Sequence, residues 1–291
     1  SAFVKSPAIS PGATIPQRTA GPPRNGVTTG SGNARKDIVN PPDRPSPSPN
    51  ATDVTPLYAA RQGPDGQPGA TPEVVSTTAP SAGRRYLATA ADLIARLTDA
   101  TWPAITQAAA AAADALGAGR VIHVFGTGHS HLLAEEMYYR AGGLVAVSPI
   151  LFDGLMLHHS TARSTALERL PGLAEALLAD HPIHDGDVMI IASNSGGNAT
   201  TIDMALTARK LGATVIAITS LQHATSALAR PTDAPRLHTI ADLVIDNGGT
   251  VGDAAVTIVG FDRAVAPTST VVGAAIVYAI VAEATEILVQ R

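Results

Sequence analysis

Two regimes of patterning divide the chain. Residues 1–83 show no apolar periodicity, whereas beyond residue 84 short apolar runs alternate with stretches of helical spacing. Leu87, Leu93, Ile94 and Leu97 predict a helix over residues 84–99. An alanine-rich stretch predicts a second over 102–116, with Pro103 suited to its first turn. Residues 121–125 (VIHVF) are an apolar run that ends in glycine and predict a buried strand. A helix over about 130–141 follows, then a second strand at 144–147. Residues 148–165 are expected to be a long connector, and 167–178 a helix broken at Pro171-Gly172. Three more strands are expected at 187–192, 214–219 and 243–245, with helices at 199–211 and 271–290. Repeated strand–loop–helix units with strands apolar on both faces predict an α/β fold, a doubly wound parallel five-stranded sheet flanked by helices. Ligands of such sheets bind beyond the carboxyl ends of the strands, where the strand order reverses.

Composition separates the two regimes further. Of the 22 prolines, 15 lie in residues 1–83, and stretches such as Pro41 to Pro49 bury too little surface to offset chain entropy. Residues 1–83 are therefore expected to be a disordered Pro/Gly-rich extension, and 84–291 the working domain. No Arg-flanked apolar segment ending in small residues marks a signal peptide. The net charge of −4 argues against a nucleic-acid partner. The absence of cysteine excludes disulfides, thiol nucleophiles and cysteine-ligated metals, and favours a cytoplasmic enzyme over a small secreted one. The longest apolar run, Val271 to Ala282, is 12 residues and ends at Glu283, which reads as a buried or interface helix rather than a membrane span.

Two strand-to-helix loops carry the candidate chemistry. The first is Gly126-Thr127-Gly128-His129-Ser130-His131, the second Ser193-Asn194-Ser195-Gly196-Gly197-Asn198. Glycines let the backbone approach a ligand, and free N–H groups at a helix start favour an anion by about 0.3–1 kcal/mol. Ser130, Ser193 and Ser195 add hydroxyl donors, and neither loop holds a lysine or arginine. This suits a neutral cradle for a monophosphate. A dinucleotide fingerprint fails because His131 stands at its third glycine, and no GK[ST] P-loop is present.

At these residues the sequence resembles the sugar isomerase (SIS) domain of phosphosugar isomerases and phosphosugar-binding regulators, a flavodoxin-like fold. The likeness rests on GTGHS before a helix and on IIASNSGGNATTI. It is closer still to an uncharacterised bacterial subgroup of SIS-domain proteins, through GTGHSHLLAEEMYYRAGG, LMLH, TALER, AITSLQHA, VIDNGG and APTSTVVGAAIVYAIVAEA. The resemblance covers roughly residues 85–291. It implies that Ser193, Ser195 and Gly196 match the family's S-x-S-G-x-T phosphate loop, with Asn198 in place of the threonine. Gly128, Ser130 and Asn194 would line the same site, and Ser220 and His223 would touch the sugar.

A phosphosugar enzyme must anchor its substrate, open the ring and move protons, work that suits histidine and glutamate. Glu136 is the preferred base and Glu135 the next. In the phosphoheptose isomerases that this helix resembles, residues six and ten after the loop serine face the active site. Those positions here are Glu136 and Arg140, the latter a departure from the glutamate seen there. The resemblance also makes His158, in Leu157-His158, the ring-opening or leaving-group acid. Glu168 would complete the site and His129 would line it, with His131 placed toward a subunit interface. Capping and turn formation account for Asp246 to Gly249 and Pro267 to Thr270. No metal and no cofactor is expected. The expected function is an isomerase or a lyase (dehydratase) on a hexose or amino-sugar phosphate, N-acetylglucosamine 6-phosphate first, by proton abstraction at C2. The alternative is a non-catalytic phosphosugar sensor bound to a protein partner. A homodimer or higher homo-oligomer is expected, with the pocket near the subunit interface and no membrane partner.

Overall fold

The computed structural model describes residues 80–229 and 235–291. The disorder expected over 1–79 lies outside the described residues, and the first helix begins at Ala82, just ahead of the expected boundary. In chain order come α1 (Ala82–Arg96), α2 (Trp102–Gly117), β1 (Ile122–Gly126), a 3-10 turn (Gly128–His131) and α3 (Leu132–Met137). Next are β2 (Val147–Ile150), a 3-10 turn (Asp153–Leu155), α4 (Thr161–Leu167), α5 (Leu173–Leu178) and β3 (Val188–Ala192). The chain continues through α6 (Ala199–Lys210), β4 (Thr214–Thr219), α7 (Leu221–Ala224), α8 (Leu237–Ile240), β5 (Leu243–Asp246) and α9 (Ser269–Gln290).

The five strands form one all-parallel sheet in the order β2-β1-β3-β4-β5. Successive side chains of a strand point to opposite faces, so two-sided burial demands an unbroken apolar run. Ile122, Val124, Ile190 and Ile216 pack on one face with the buried sides of α2, α3 and α9. Met189, Ile191, Val215 and Ala217 pack on the other with α5, α6 and α8. The alanines of α2 let α9 lie close along it, and Ala108, Ala109, Ala112 and Ala113 have no exposed surface.

Three local expectations are corrected. The helix expected over 130–141 is a 3-10 turn followed by a six-residue α3, which stops because Tyr138 is extended and Tyr139 turns to φ 45°. The second strand runs four residues along from 147, and carries Pro149 because an edge strand tolerates a lost donor. The expected connector 148–165 is mostly structured, with α4 capped by Ser160, whose hydroxyl accepts from the Arg163 N–H at 3.2 Å.

The apolar C-terminal helix is longer than its unbroken run. Among the described residues α9 alone is long and apolar enough to cross a membrane. Here Val272, Ile276, Val277, Ile280 and Ala284 build the core, which accounts for its inner face.

Candidate functional site

The order of strands reverses between β1 and β3, so the loops that leave their carboxyl ends lie side by side. The first loop turns very tightly. A Cβ at Gly126 would sit 2.6 Å from the Ser130 carbonyl, a distance only glycine avoids. The Ser130 N–H closes the turn on the Thr127 carbonyl at 3.1 Å, and the His131 ring bonds the Gly128 carbonyl. In the second loop Gly196 takes φ 57°, and its N–H donates to the Ser193 hydroxyl at 3.2 Å.

The two loops are joined from behind. Asn198 caps α6, its Oδ1 accepting from the Thr201 N–H at 2.8 Å, while its Nδ2 donates to Thr127 Oγ1 at 3.0 Å. Thr127 in turn donates to Glu168 Oε2 at 3.3 Å. Glu168 follows α4, whose last carbonyls meet the start of α6: the Thr200 N–H donates to the Glu168 carbonyl at 3.0 Å and the Thr200 hydroxyl to Leu167 at 3.1 Å. Both ends of the Asn198 amide are thus spent inside the protein, which turns it away from a ligand.

In front of this brace lies a narrow cleft. His129 and Ser130 come from the first loop, Ser193 and Asn194 from the second. Asn247 stands at the end of β5, and Ser269 and Thr270 open α9. Leu133, Ala192 and Ile218 complete the lining, which holds no lysine or arginine. The Asp253 carboxylate accepts from the Thr268 and Ser269 N–H groups at 3.1 and 3.0 Å, fixing the start of α9 against the cleft.

The remaining expected residues lie elsewhere. Ser195 is half-buried outside the lining, with its carbonyl accepting from Arg236 Nη1 at 3.2 Å. Ser220 has no exposed surface. Its hydroxyl donates to the Gly249 carbonyl at 2.6 Å and accepts from the His223 N–H at 3.1 Å, so it is a cap and not a sugar contact. His223 Nδ1 accepts from the Gly252 N–H at 3.2 Å, outside the lining. Glu136 turns to α9, where it accepts from the Tyr278 hydroxyl and pairs with Arg140 at 2.9 Å. Desolvation, with the Glu136 carboxylate beside it, holds the Tyr278 phenol above its usual range. Glu135 is exposed and faces His131 at 3.4 Å. His158 is exposed and its ring lies tilted against that of His159, which lies 3.7 Å from Asp153. Among the described residues no three histidine or acidic side chains gather closely enough to hold a metal ion.

Sequence reasoning did not single out Asn247, Ser269 and Thr270. Each carries an ordinary turn or capping pattern, and only the tertiary fold brings them to the cleft.

At the opposite, amino edge of the sheet, Asp187 ties three segments together. It accepts from the Val121 N–H at 3.0 Å, the His184 N–H at 2.7 Å and His123 Nε2 at 3.3 Å. Burial pushes the His123 imidazole down. Burial alone would raise the Asp187 carboxyl, but the backbone and His123 hydrogen bonds outweigh it and lower it.

Residues 85–220, which hold the first four strands and both loops, match the SIS domain family. More narrowly, the chain belongs to the family of UPF0309 proteins. It is 50% identical over 185 residues to the UPF0309 protein of Listeria innocua serovar 6a, covering 64% of this chain and 75% of that one. It is 44% identical over 187 residues to the UPF0309 protein of Geobacillus sp. strain WCH70, covering 64% and 76%. Among solved structures it is similar to a phosphoheptose isomerase from Francisella tularensis, with 17% identity, TM-score 0.47, and 70% and 96% of the two chains covered. It is also similar to the sugar isomerase domain of an RpiR transcription factor from Sphaerobacter thermophilus, with 16% identity, TM-score 0.41, and 72% and 90% covered.

Proposed function

We propose that the chain binds a phosphorylated sugar in this cleft and acts on it as an isomerase or lyase. One observation carries the reading: Ser130, Ser193 and the opening of α9 converge at the β1/β3 reversal, around a cleft walled by hydroxyl, amide and imidazole groups. Hydroxyl and side-chain amide groups are suited to a monophosphate, which they can hydrogen-bond without a cationic side chain. The substrate class is a hexose or amino-sugar phosphate, with N-acetylglucosamine 6-phosphate preferred. In the open-chain form its C1 carbonyl makes the C2 proton acidic. A base removes that proton. In a hexose phosphate the C2 hydroxyl then loses its proton as C1 gains one, giving a ketose; in an acetamido sugar, whose C2 carries nitrogen, the electron pair instead expels the C3 oxygen, which leaves with a proton. His129 is the titratable side chain that lines the cleft, and we assign it this proton transfer. Glu168 holds the two loops from behind, as a positioning residue. Glu135 and Glu136, on α3, and His158, in the segment before α4, lie outside this cleft and would reach such a site from a second copy of the chain.

The test is direct. Incubation with N-acetylglucosamine 6-phosphate in D₂O should exchange the C2 proton, and His129→Asn should abolish exchange while leaving binding intact. Ser130→Ala with Ser193→Ala should weaken binding by about tenfold or more, as lost hydrogen bonds to a charged group do. A wild-type protein that no sugar phosphate stabilises against heat overturns the reading. A second reading is favoured by the position of Glu135, Glu136 and His158 away from the cleft: a sensor that binds the sugar phosphate without turnover. Binding with no exchange at C2 across a hexose phosphate panel would select it.

Self-association belongs to the same proposal. α9 exposes Val271, Tyr278 and Val289 on its outer side, close to α3, whose following residues Tyr138 and Tyr139 are also exposed. A second copy of the chain would cover this face.

A further inference from the structure

The polarity of one cleft wall is set by a single backbone N–H. Asn247 directly follows β5, is 4% exposed and lines the cleft. Its Oδ1 accepts from the Gly249 N–H at 2.9 Å, and its Nδ2 donates to Asn194 Oδ1 at 3.0 Å. An amide's oxygen and nitrogen are nearly alike in shape, so their assignment follows from their partners. The Gly249 N–H can only donate, so the Asn247 oxygen must face it. The Asn247 nitrogen therefore faces Asn194, and only the Asn194 oxygen can receive it. What remains of Asn194 is its NH₂ group. Among the described residues no acceptor is recorded for that nitrogen, and Asn194 is half-buried in the cleft lining.

The relay is itself held from behind. The Ser220 hydroxyl donates to the Gly249 carbonyl at 2.6 Å, and the Asn247 N–H donates to the Thr219 carbonyl at 2.9 Å. A Cβ at Gly249 would lie 2.9 Å from Asn247 Oδ1, so glycine is what lets the backbone come close enough to donate. The Asn194 carbonyl accepts from Thr219 Oγ1 at 3.2 Å, which fixes the start of the same side chain.

From this we infer that Asn247 is a positioning residue that forces Asn194 to present donors alone to the cleft, so that the wall selects a ligand carrying an acceptor oxygen there. The inference rests on the phosphosugar reading and deepens it. Two groups of such a ligand supply that oxygen, the phosphoryl group and the carbonyl of an acetamido substituent. Asn247 lies outside residues 85–220, so ligand choice depends on a segment beyond the matched family region.

The test follows the side-chain NH₂ resonances of Asn194 and Asn247 in ¹⁵N-labelled full-length protein. In the free protein an NOE should link the Asn247 NH₂ to Asn194, and Asn247 should exchange with water more slowly than Asn194. Titration with glucose 6-phosphate, N-acetylglucosamine and N-acetylglucosamine 6-phosphate should shift the Asn194 NH₂. A shift with glucose 6-phosphate assigns the phosphoryl oxygen, and a shift with N-acetylglucosamine the acetamido carbonyl. Asn247→Asp places a second acceptor opposite Asn194 and turns it over, so its oxygen would face the ligand. Affinity should then fall by about tenfold or more, while the thermal midpoint moves little. Asn194→Asp should lose binding to the same extent, and serves if Asn247→Asp does not fold. If Ser130 and Ser193 resonances shift while the Asn194 NH₂ does not, the relay is wrong and the phosphosugar reading stands. If no resonance moves with any of the three, both fail together.

Discussion

Asn198 shows how one side chain can do two jobs that its position in the sequence reveals only in part. Its capping role is legible, because it stands directly before a helix. Its bond to Thr127 is not, since 71 residues separate them. Asn198→Ala should lose both the cap and the bridge and lower the unfolding free energy by about 1–3 kcal/mol, read from a urea denaturation curve. An unchanged midpoint would contradict the brace. The same limit applies across the site. Ser130, Ser193, Asn194 and His129 were readable because they sit in the two loops that the strand pattern locates. Glu136 and Ser220 were readable as candidates but not as to direction, because the Tyr278 hydroxyl and the Gly249 carbonyl that claim them come from distant chain.

The buried His123–Asp187 pair gives a second prediction at this scale. The folded His123 has a pKa below its ordinary 6.5, so in the window just beneath 6.5 the unfolded chain binds the proton and the folded one does not. Its contribution is present above that window and is lost as pH falls through it. Asp187, also lowered from an ordinary 3.8, contributes above that value and loses its share only in stronger acid. The thermal midpoint should therefore drop as pH falls below the ordinary histidine value of 6.5, and His123→Phe should flatten that part of the curve. Asp187 keeps its two backbone donors in that variant.

Among the elements, strands were the most legible and the helix after β1 the least. β1, β3 and β4 are almost wholly apolar because both faces are covered, and such runs need no partner to be recognised, whereas the edge strand β2 carries Ser148 and Pro149 and lies past the run at 144–147. The end of α3 depends on the extended Tyr138 and the positive φ of Tyr139, for which neither tyrosine carries a local signal. Close packing between α3 and α9 makes a testable point. A Cβ at Gly273 would come 2.7 Å from Leu133 Cδ1, whose side chain is buried. Gly273→Ala should cost about 1–3 kcal/mol as overpacking, and Leu133→Val in the same chain should return part of it. Additive losses in the double variant would show that the contact is not shared. Gly126→Ala should be worse, because the obstacle is the Ser130 backbone and not the end of a side chain.

For the whole molecule, the sheet order 2-1-3-4-5 matters most, since it brings residues 126–131, 193–198, 247 and 269–270 to one edge. The alternation of strands and helices foretold a parallel sheet, and only the order explains why two distant loops meet. The uncovered side of α9 gives a prediction here. Light scattering on the full chain should report at least a dimer, and Tyr278→Asp, placing a charge on that side, should shift the mass toward one copy. A monomer at all concentrations would remove the self-association proposal.

The span of the cleft carries a practical consequence for anyone trimming the gene. A fragment cut to residues 85–220 would keep both glycine loops yet discard β5 and α9. The buried sides of α2 and α3 would then lose the cover that α9 gives them. Such a product should aggregate on expression, and its failure to recognise any metabolite would say nothing about the full chain.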